Sequence, residues 1–167
     1  VLTDNVHNIA VEGTFDDCQN LVKQAFADET LRKTKNLSAI NSINWARIIA
    51  QTVYYIAAAQ KLGTTPDFAV PTGNFGNIYA AWVGKQMGGN IGDLTIGSNR
   101  NDILTRFFET GTMSLETVIP SHSPSMDIQI SSNFERVMFD LIGRNSAQLG
   151  TWMREFKVSG RFTVDEA

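Results

Sequence analysis

The sequence predicts an α/β fold of three layers, a parallel sheet with helices on both faces. Three observations carry that expectation. Short apolar runs alternate with helical patterns through the middle of the chain. The segment from Trp45 to Leu62 is apolar nearly all round, as a helix wedged between a sheet and another layer would be. Third, Pro71-Thr72-Gly73-Asn74-Phe75-Gly76-Asn77 joins the apolar run Phe68-Ala69-Val70 to a helical pattern that begins at Ile78. Parallel neighbours need crossover connections, and strand, glycine turn, helix is the opening half of one.

In chain order, Val6-His7-Asn8-Ile9-Ala10-Val11 alternates well enough for a short strand, broken by Gly13. Thr14 then caps a helix with Asp16 and Asp17 in its first turn. Phe15, Cys18, Leu21, Val22, Ala25 and Phe26 recur at three- and four-residue steps and form its expected buried face. On that face Cys18 reads as a small core residue rather than a nucleophile. Glu29 to Lys35 is a charged connector. Asn36-Leu37-Ser38-Ala39-Ile40-Asn41 is a strand candidate, and Ser42-Ile43-Asn44 supplies cap-type residues for the long helix, which Gly63 ends. The next strand closes at Pro71, tolerable only at a strand end.

The helix from Ile78 stops at Gly88-Gly89, and Leu94-Thr95-Ile96 is the next strand. Ser98-Asn99-Arg100-Asn101-Asp102 offers caps to a helix with Ile103, Leu104, Phe107 and Phe108 on one face. From Ile119 to Met126 two prolines and three serines leave no periodicity, so a loop is expected, with His122 exposed on it. Ser132-Asn133-Phe134-Glu135 has the form of a capping box before an amphipathic helix of Phe134, Val137, Met138, Leu141 and Ile142. A last helix carries Leu149, Trp152, Met153 and Phe156. Thr163-Val164-Asp165-Glu166 is another capping box, which normally opens a helix, and the chain starts within an entering strand. Both ends therefore read as cuts, and residues 1–167 as an internal piece of a longer protein.

Composition narrows the function. Fourteen basic and seventeen acidic residues give a net charge of −3 without a dense basic cluster, which argues against a nucleic-acid partner. No apolar run reaches the ~18 residues a membrane span needs. One cysteine and two histidines permit no internal disulfide and no zinc-type ligand cluster, and suit a reducing cytoplasm. A small ligand is expected.

Its place is suggested by the glycine turn. The first amides of a helix have no partners within it and lie at the positive end of its dipole, so Gly73, Asn74, Phe75, Gly76 and Asn77 are suited to a phosphate held by backbone N–H groups. Taken alone, a G-x-x-G is equally well an ordinary strand-to-helix turn. Arg47 stands in the first turn of the long helix, where the dipole disfavours a cation; either an anion compensates it or the side chain snorkels or pairs. In a parallel sheet the loops Asn41–Asn44, Gly73–Asn77 and Ser98–Asn101 would gather at the carboxyl ends of the strands as a polar cleft.

Gly73-Asn74-Phe75-Gly76-Asn77 and Asn41-Ser42-Ile43-Asn44-Trp45-Ala46-Arg47 together resemble threonine synthases, pyridoxal-phosphate enzymes of the tryptophan-synthase-β-like fold type II. Val11-Glu12-Gly13-Thr14-Phe15-Asp16-Asp17-Cys18, Ser98-Asn99-Arg100-Asn101-Asp102-Ile103 and the run from Ser123 to Arg136 are similar to that family too, so the resemblance spans nearly the whole chain. It implies conversion of O-phospho-L-homoserine and water to L-threonine and phosphate in the cytoplasm. By the resemblance, the glycine loop holds the pyridoxal 5'-phosphate phosphate and Asn41, Ser42 and Arg47 hold the substrate phosphate. Residues 1–35 would end the smaller domain, and residues 36–167 would be part of the large cofactor domain.

The departures are equally specific. The lysine that carries the cofactor as a Schiff base is placed upstream of Val1, and none of Lys23, Lys33, Lys35, Lys61, Lys85 or Lys157 sits in a matching motif. The partner of the pyridine nitrogen is placed beyond Ala167. The chain would then contain no catalytic residue, be inactive alone and depend on the remaining parts of the same chain; assembly of identical copies is compatible with this. Two alternatives stand beside it: a related lyase such as threonine dehydratase, which needs no second phosphate site, and a non-catalytic phosphate-ligand-binding module.

Overall fold

The computed structural model describes residues 3–164, and these divide between Leu37 and Ser38 into two units. The first unit holds helices α1 (Phe15–Ala27) and α2 (Glu29–Lys35). Thr14 caps α1 through a reciprocal box with Asp17, whose carboxylate takes the Thr14 N–H at 2.7 Å; that bond holds the Asp17 carboxyl below its ordinary range. The charged stretch expected to be a connector is helical, because Asp28 accepts from the Leu31 N–H and Glu29 pairs with Lys33 one turn on.

Two further expectations fail here. Residues 7–13 form no strand, since among the described residues the unit offers only the isolated bridge Thr3–Val6 and a strand needs a partner. The apolar face of α1 is not buried either: Leu21 is 52% exposed, Phe15 and Val22 are exposed, and Cys18 is exposed rather than core, while Gln19 is the buried residue. Two helices cannot enclose such a face.

The second unit contains the parallel pair. Strand β1 (Phe68–Pro71) lies beside β2 (Leu94–Gly97) in register Phe68 to Leu94 through Pro71 to Gly97, and helix α4 (Gly76–Gln86) is the crossover between them. Helix α3 (Trp45–Leu62) packs on α4, capped by Asn44 at its start and by left-handed Gly63 at its end. It is buried along Ile48, Thr52, Tyr55 and Ala59 only; Val53, Tyr54 and Leu62 are exposed, so it is covered on one face and not on both. The strand expected over residues 36–41 is irregular and leads into a turn at residues 41–44, which the Asn41 and Asn44 side chains close on neighbouring backbone groups.

After β2 come α5 (Ile103–Thr110), β3 (Thr112–Ser114), a 3-10 turn (Pro124–Met126), α6 (Phe134–Leu141), α7 (Ser146–Ser159) and β4 (Arg161–Thr163). Strands β3 and β4 pair antiparallel, a ribbon of three residues each that carries too little alternation to be read from sequence. Thr163 thus ends a strand, while Asp165 and Glu166 of the supposed final capping box lie outside the described residues. Ile103, Leu104 and Phe107 are buried as expected, but Phe108 is 53% and Leu141 55% exposed. An aromatic ladder runs through the core: Phe75 meets Phe134 edge-on at 5.2 Å, Phe134 meets Phe107 at 5.0 Å, and Phe107 meets Phe162 at 5.8 Å. It ties the glycine loop to the far end of the unit.

Candidate functional site

The loop between β1 and α4 is built by withdrawing its carbonyls and presenting its amides. Thr72 leaves β1 buried, its N–H donated to the Gly97 carbonyl at 2.8 Å and its hydroxyl to Val70 O at 2.7 Å. The Gly73 carbonyl accepts from Ser131 Oγ at 2.8 Å, and the Asn74 carbonyl accepts from both the backbone N–H and Nδ2 of Asn133, at 3.1 and 3.0 Å. The acceptors that would repel an anion are thereby turned toward residues 131–133.

Phe75 then caps α4 in the left-handed region, φ 60° and ψ 8°, without any side-chain cap bond. That conformation costs a non-glycine residue of order 1 kcal/mol or more, and the buried ring against Phe134 holds it there. Neither glycine of the loop has a positive φ; their role is close approach. A Cβ on Gly73 would lie 3.3 Å from Met126 Cα, and one on Gly76 2.7 Å from Ser42 Cβ. Tyr79 N–H bonds Phe75 O at 3.0 Å, whereas the N–H groups of Gly76, Asn77 and Ile78 have no acceptor inside α4, whose first turn carries no acid. The result is a hollow of about 210 Å³ lined by Ser42, Gln51, Ser125 and residues 71–78, with no charged side chain among them.

The side chain of Asn77 is oriented from α3: its Oδ1 accepts from the Tyr55 hydroxyl and its Nδ2 donates to Gln51 Oε1 at 3.0 Å. Burial pushes the Tyr55 hydroxyl up to about 12, so it remains a donor across ordinary pH.

Of the three residues expected at a second anion site, the structure brings Ser42 to the hollow. Asn41 and Arg47 are exposed and do not line it. Asn41 Oδ1 accepts from the Ile43 N–H at 3.1 Å, and Arg47 Nη1 donates to Ile40 O at 2.6 Å. The third expected loop does not line the hollow either. Asn99 and Asn101 instead donate to the buried Asp127 carboxylate at 2.7 and 3.1 Å, which also accepts from the Ser121 hydroxyl at 2.6 Å and the Ser121 N–H at 2.8 Å. The Ser121 hydroxyl is the main reason that Asp127 titrates below the usual carboxylate range. This knot anchors residues 121–127, and so sets Ser125 beside Gly73. His122 is exposed and apart from the lining.

Asn133 and Arg136 were not foreseen as part of the site. The motif 132–135 has the form of a capping box, yet Asn133 makes no cap bond, and no local pattern signals partners 59 and 93 residues away.

No protein-family model matches the chain. It is 51% identical to threonine synthase of Pseudomonas aeruginosa over 99% of its own length and 36% of that protein. It is 45% identical to threonine synthase of Corynebacterium glutamicum over 90% of its length and 34% of the other. Among solved structures, PLP-bound threonine synthase from Brucella melitensis superposes with a TM-score of 0.85 at 52% identity, covering 97% of this chain and 36% of that one. The yeast enzyme gives a TM-score of 0.77 at 40% identity. The chain shares the fold of the matching part of these enzymes and spans about a third of the length of the relatives it matches.

Proposed function

We propose that this chain, a relative of the threonine synthases over about a third of their length, forms the phosphate-holding wall of a cytoplasmic enzyme. That enzyme converts O-phospho-L-homoserine and water to L-threonine and phosphate with pyridoxal phosphate as cofactor. The observation that carries the reading is the uncharged hollow at the start of α4, with its carbonyls bonded away and Gly76 pressed against Ser42. A phosphate group fits such a cradle: glycine at 76 lets the Ser42 side chain close against the loop, and the helix start supplies donors and a favourable dipole. When bound there, pyridoxal phosphate supplies the electron sink that elimination of phosphate requires.

The residues of this chain hold and orient. Gly73 to Asn77 receive the cofactor phosphate on main-chain amides, with Asn77 kept in place by Tyr55 and Gln51. Asn41, Ser42 and Arg47 receive the substrate phosphate; one of the five guanidinium donors of Arg47 is spent on Ile40, and the rest serve the anion. The six lysines of the chain are absent from the lining of the hollow. As the resemblance implies, the amine that binds the cofactor and moves the substrate protons lies in another part of the protein, and residues 1–167 alone would not turn over substrate. In this reading residues 1–35 close the smaller domain and the rest belongs to the cofactor domain.

Arg47→Ala in the full-length enzyme tests this. Loss of a charge-assisted phosphate contact of about 1.5–3 kcal/mol raises the KM for O-phospho-L-homoserine roughly tenfold or more and leaves cofactor affinity unchanged. An unaltered KM contradicts the assignment.

A further inference from the structure

We propose that Asn133 and Arg136, at the start of α6, are positioning residues that hold the two phosphate-receiving loops in register, and so set the affinity for the phosphorylated substrate. The inference rests on the functional reading above.

Asn133 has no exposed surface, and it uses both ends of its amide. Its Nδ2, together with its backbone N–H, donates to the Asn74 carbonyl in the glycine loop, and its Oδ1 accepts from Arg136 Nη1 at 2.7 Å. Arg136 continues the chain of bonds, with Nη2 donating to Ile43 O at 2.8 Å and Nη1 reaching Ser42 O at 3.4 Å. Its guanidinium carbon lies 5.8 Å from the ring centroid of Trp45, the first residue of α3. One unbroken path thus runs from Asn74 through Asn133 and Arg136 to the carbonyls of Ser42 and Ile43.

The chemistry is particular to these residue types. An amide can donate to a carbonyl and accept from a guanidinium at once; a carboxylate would lack the donor and an alkyl group both. Only a guanidinium presents a planar fork of donors able to meet two successive carbonyls and an amide oxygen, whereas a lysine ammonium is a point donor. All three acceptors are neutral, so the charge of Arg136 is not cancelled by them and adds to the positive potential at the Ser42 turn. The Ser42 turn is otherwise a short loop stabilised by its own Asn side chains, in contact with the glycine loop where Gly76 meets Ser42. The brace adds a directional polar link to that packing contact, and without it the distance between the two oxyanion positions is held by packing alone, so a reactant anchored at both would lose part of the geometry of its bound state.

The test uses the full-length holoenzyme carrying Arg136→Lys, Arg136→Ala, Ser42→Ala, the double variant Ser42→Ala/Arg136→Ala, and Arg47→Ala as reference. Arg136→Lys, which keeps charge and stem but not the fork, raises the KM for O-phospho-L-homoserine about fivefold or more with kcat within about threefold and an unchanged Tm; inhibition by inorganic phosphate weakens in parallel. Because Arg136 acts through Ser42, the double variant is no worse than the worse single one, within about twofold. Wild-type KM in Arg136→Lys, or effects of Ser42 and Arg136 that multiply, overturns the brace. Should Arg136→Ala fail to fold, the lysine variant and its double with Ser42→Ala decide by the same criteria. If Arg47→Ala and Ser42→Ala also leave KM unchanged, it is the functional reading that fails, an outcome distinct from loss of effect at Arg136 alone.

Discussion

Gly76 and Ser42 touch backbone to side chain: a Cβ on Gly76 would stand 2.7 Å from Ser42 Cβ and 3.3 Å from its hydroxyl oxygen. The two residues are remote in sequence and belong to the two loops assigned to cofactor and substrate. Gly76→Ala must therefore push the Ser42 turn outward or shift the start of α4. The expected cost is about 1–3 kcal/mol of stability, as for other insertions into filled space, with weakened binding of pyridoxal phosphate. Chemical denaturation and a cofactor absorbance titration on the full-length enzyme measure both; wild-type values in each would show that the contact is slack.

Phe75 combines a buried ring with a left-handed backbone, so two costs can be separated at one position. Phe75→Ala and Phe75→Gly leave the same kind of void beside Phe134, worth roughly 3–5 kcal/mol, but glycine also relieves the strain and is the better residue at a helix start. Phe75→Gly is thus expected to be the more stable of the two by about 1 kcal/mol. Urea midpoints of the pair test this, and alanine at or above glycine would rule out backbone strain at the cap.

Tyr55 holds Asn77 by its hydroxyl, and burial raises that hydroxyl from 10.0 to about 12. Between those values the folded state retains a proton that the unfolded chain has lost. The folded state therefore binds more protons, so the contribution is fully present below about pH 10 and stability falls as pH rises from about 10 toward 12. Tyr55→Phe leaves Asn77 Oδ1 without this donor and costs about 1–2 kcal/mol at neutral pH, but removes that part of the alkaline slope. Denaturation midpoints from pH 8 to 12 for both proteins check the sign; parallel curves would exclude Tyr55 as the titrating group.

Much of the cradle is local, and local features were readable. The strand, the turn and α4 lie within about twenty residues, so period and turn chemistry place them, and the cap Asn44 and stop Gly63 mark α3 within a residue. What escaped is non-local. That Phe75 and not a glycine takes the left-handed place depends on Phe134, that Asn99 and Asn101 serve Asp127 rather than the hollow depends on a loop about 26 residues away, and Asn133 is diverted from capping by Asn74. The face of α1 misled for the opposite reason: its period is correct, but the described residues of its unit supply too little to cover it.

The most direct measurement is a crystal structure of the full-length enzyme with pyridoxal phosphate and O-phospho-L-homoserine. The cofactor phosphate is expected with oxygens about 3 Å from the N–H groups of Gly76 and Asn77, and the substrate phosphate on Ser42 and Arg47. Phosphates bound elsewhere, or a hollow at Gly73 to Asn77 closed by side chains, would contradict the account.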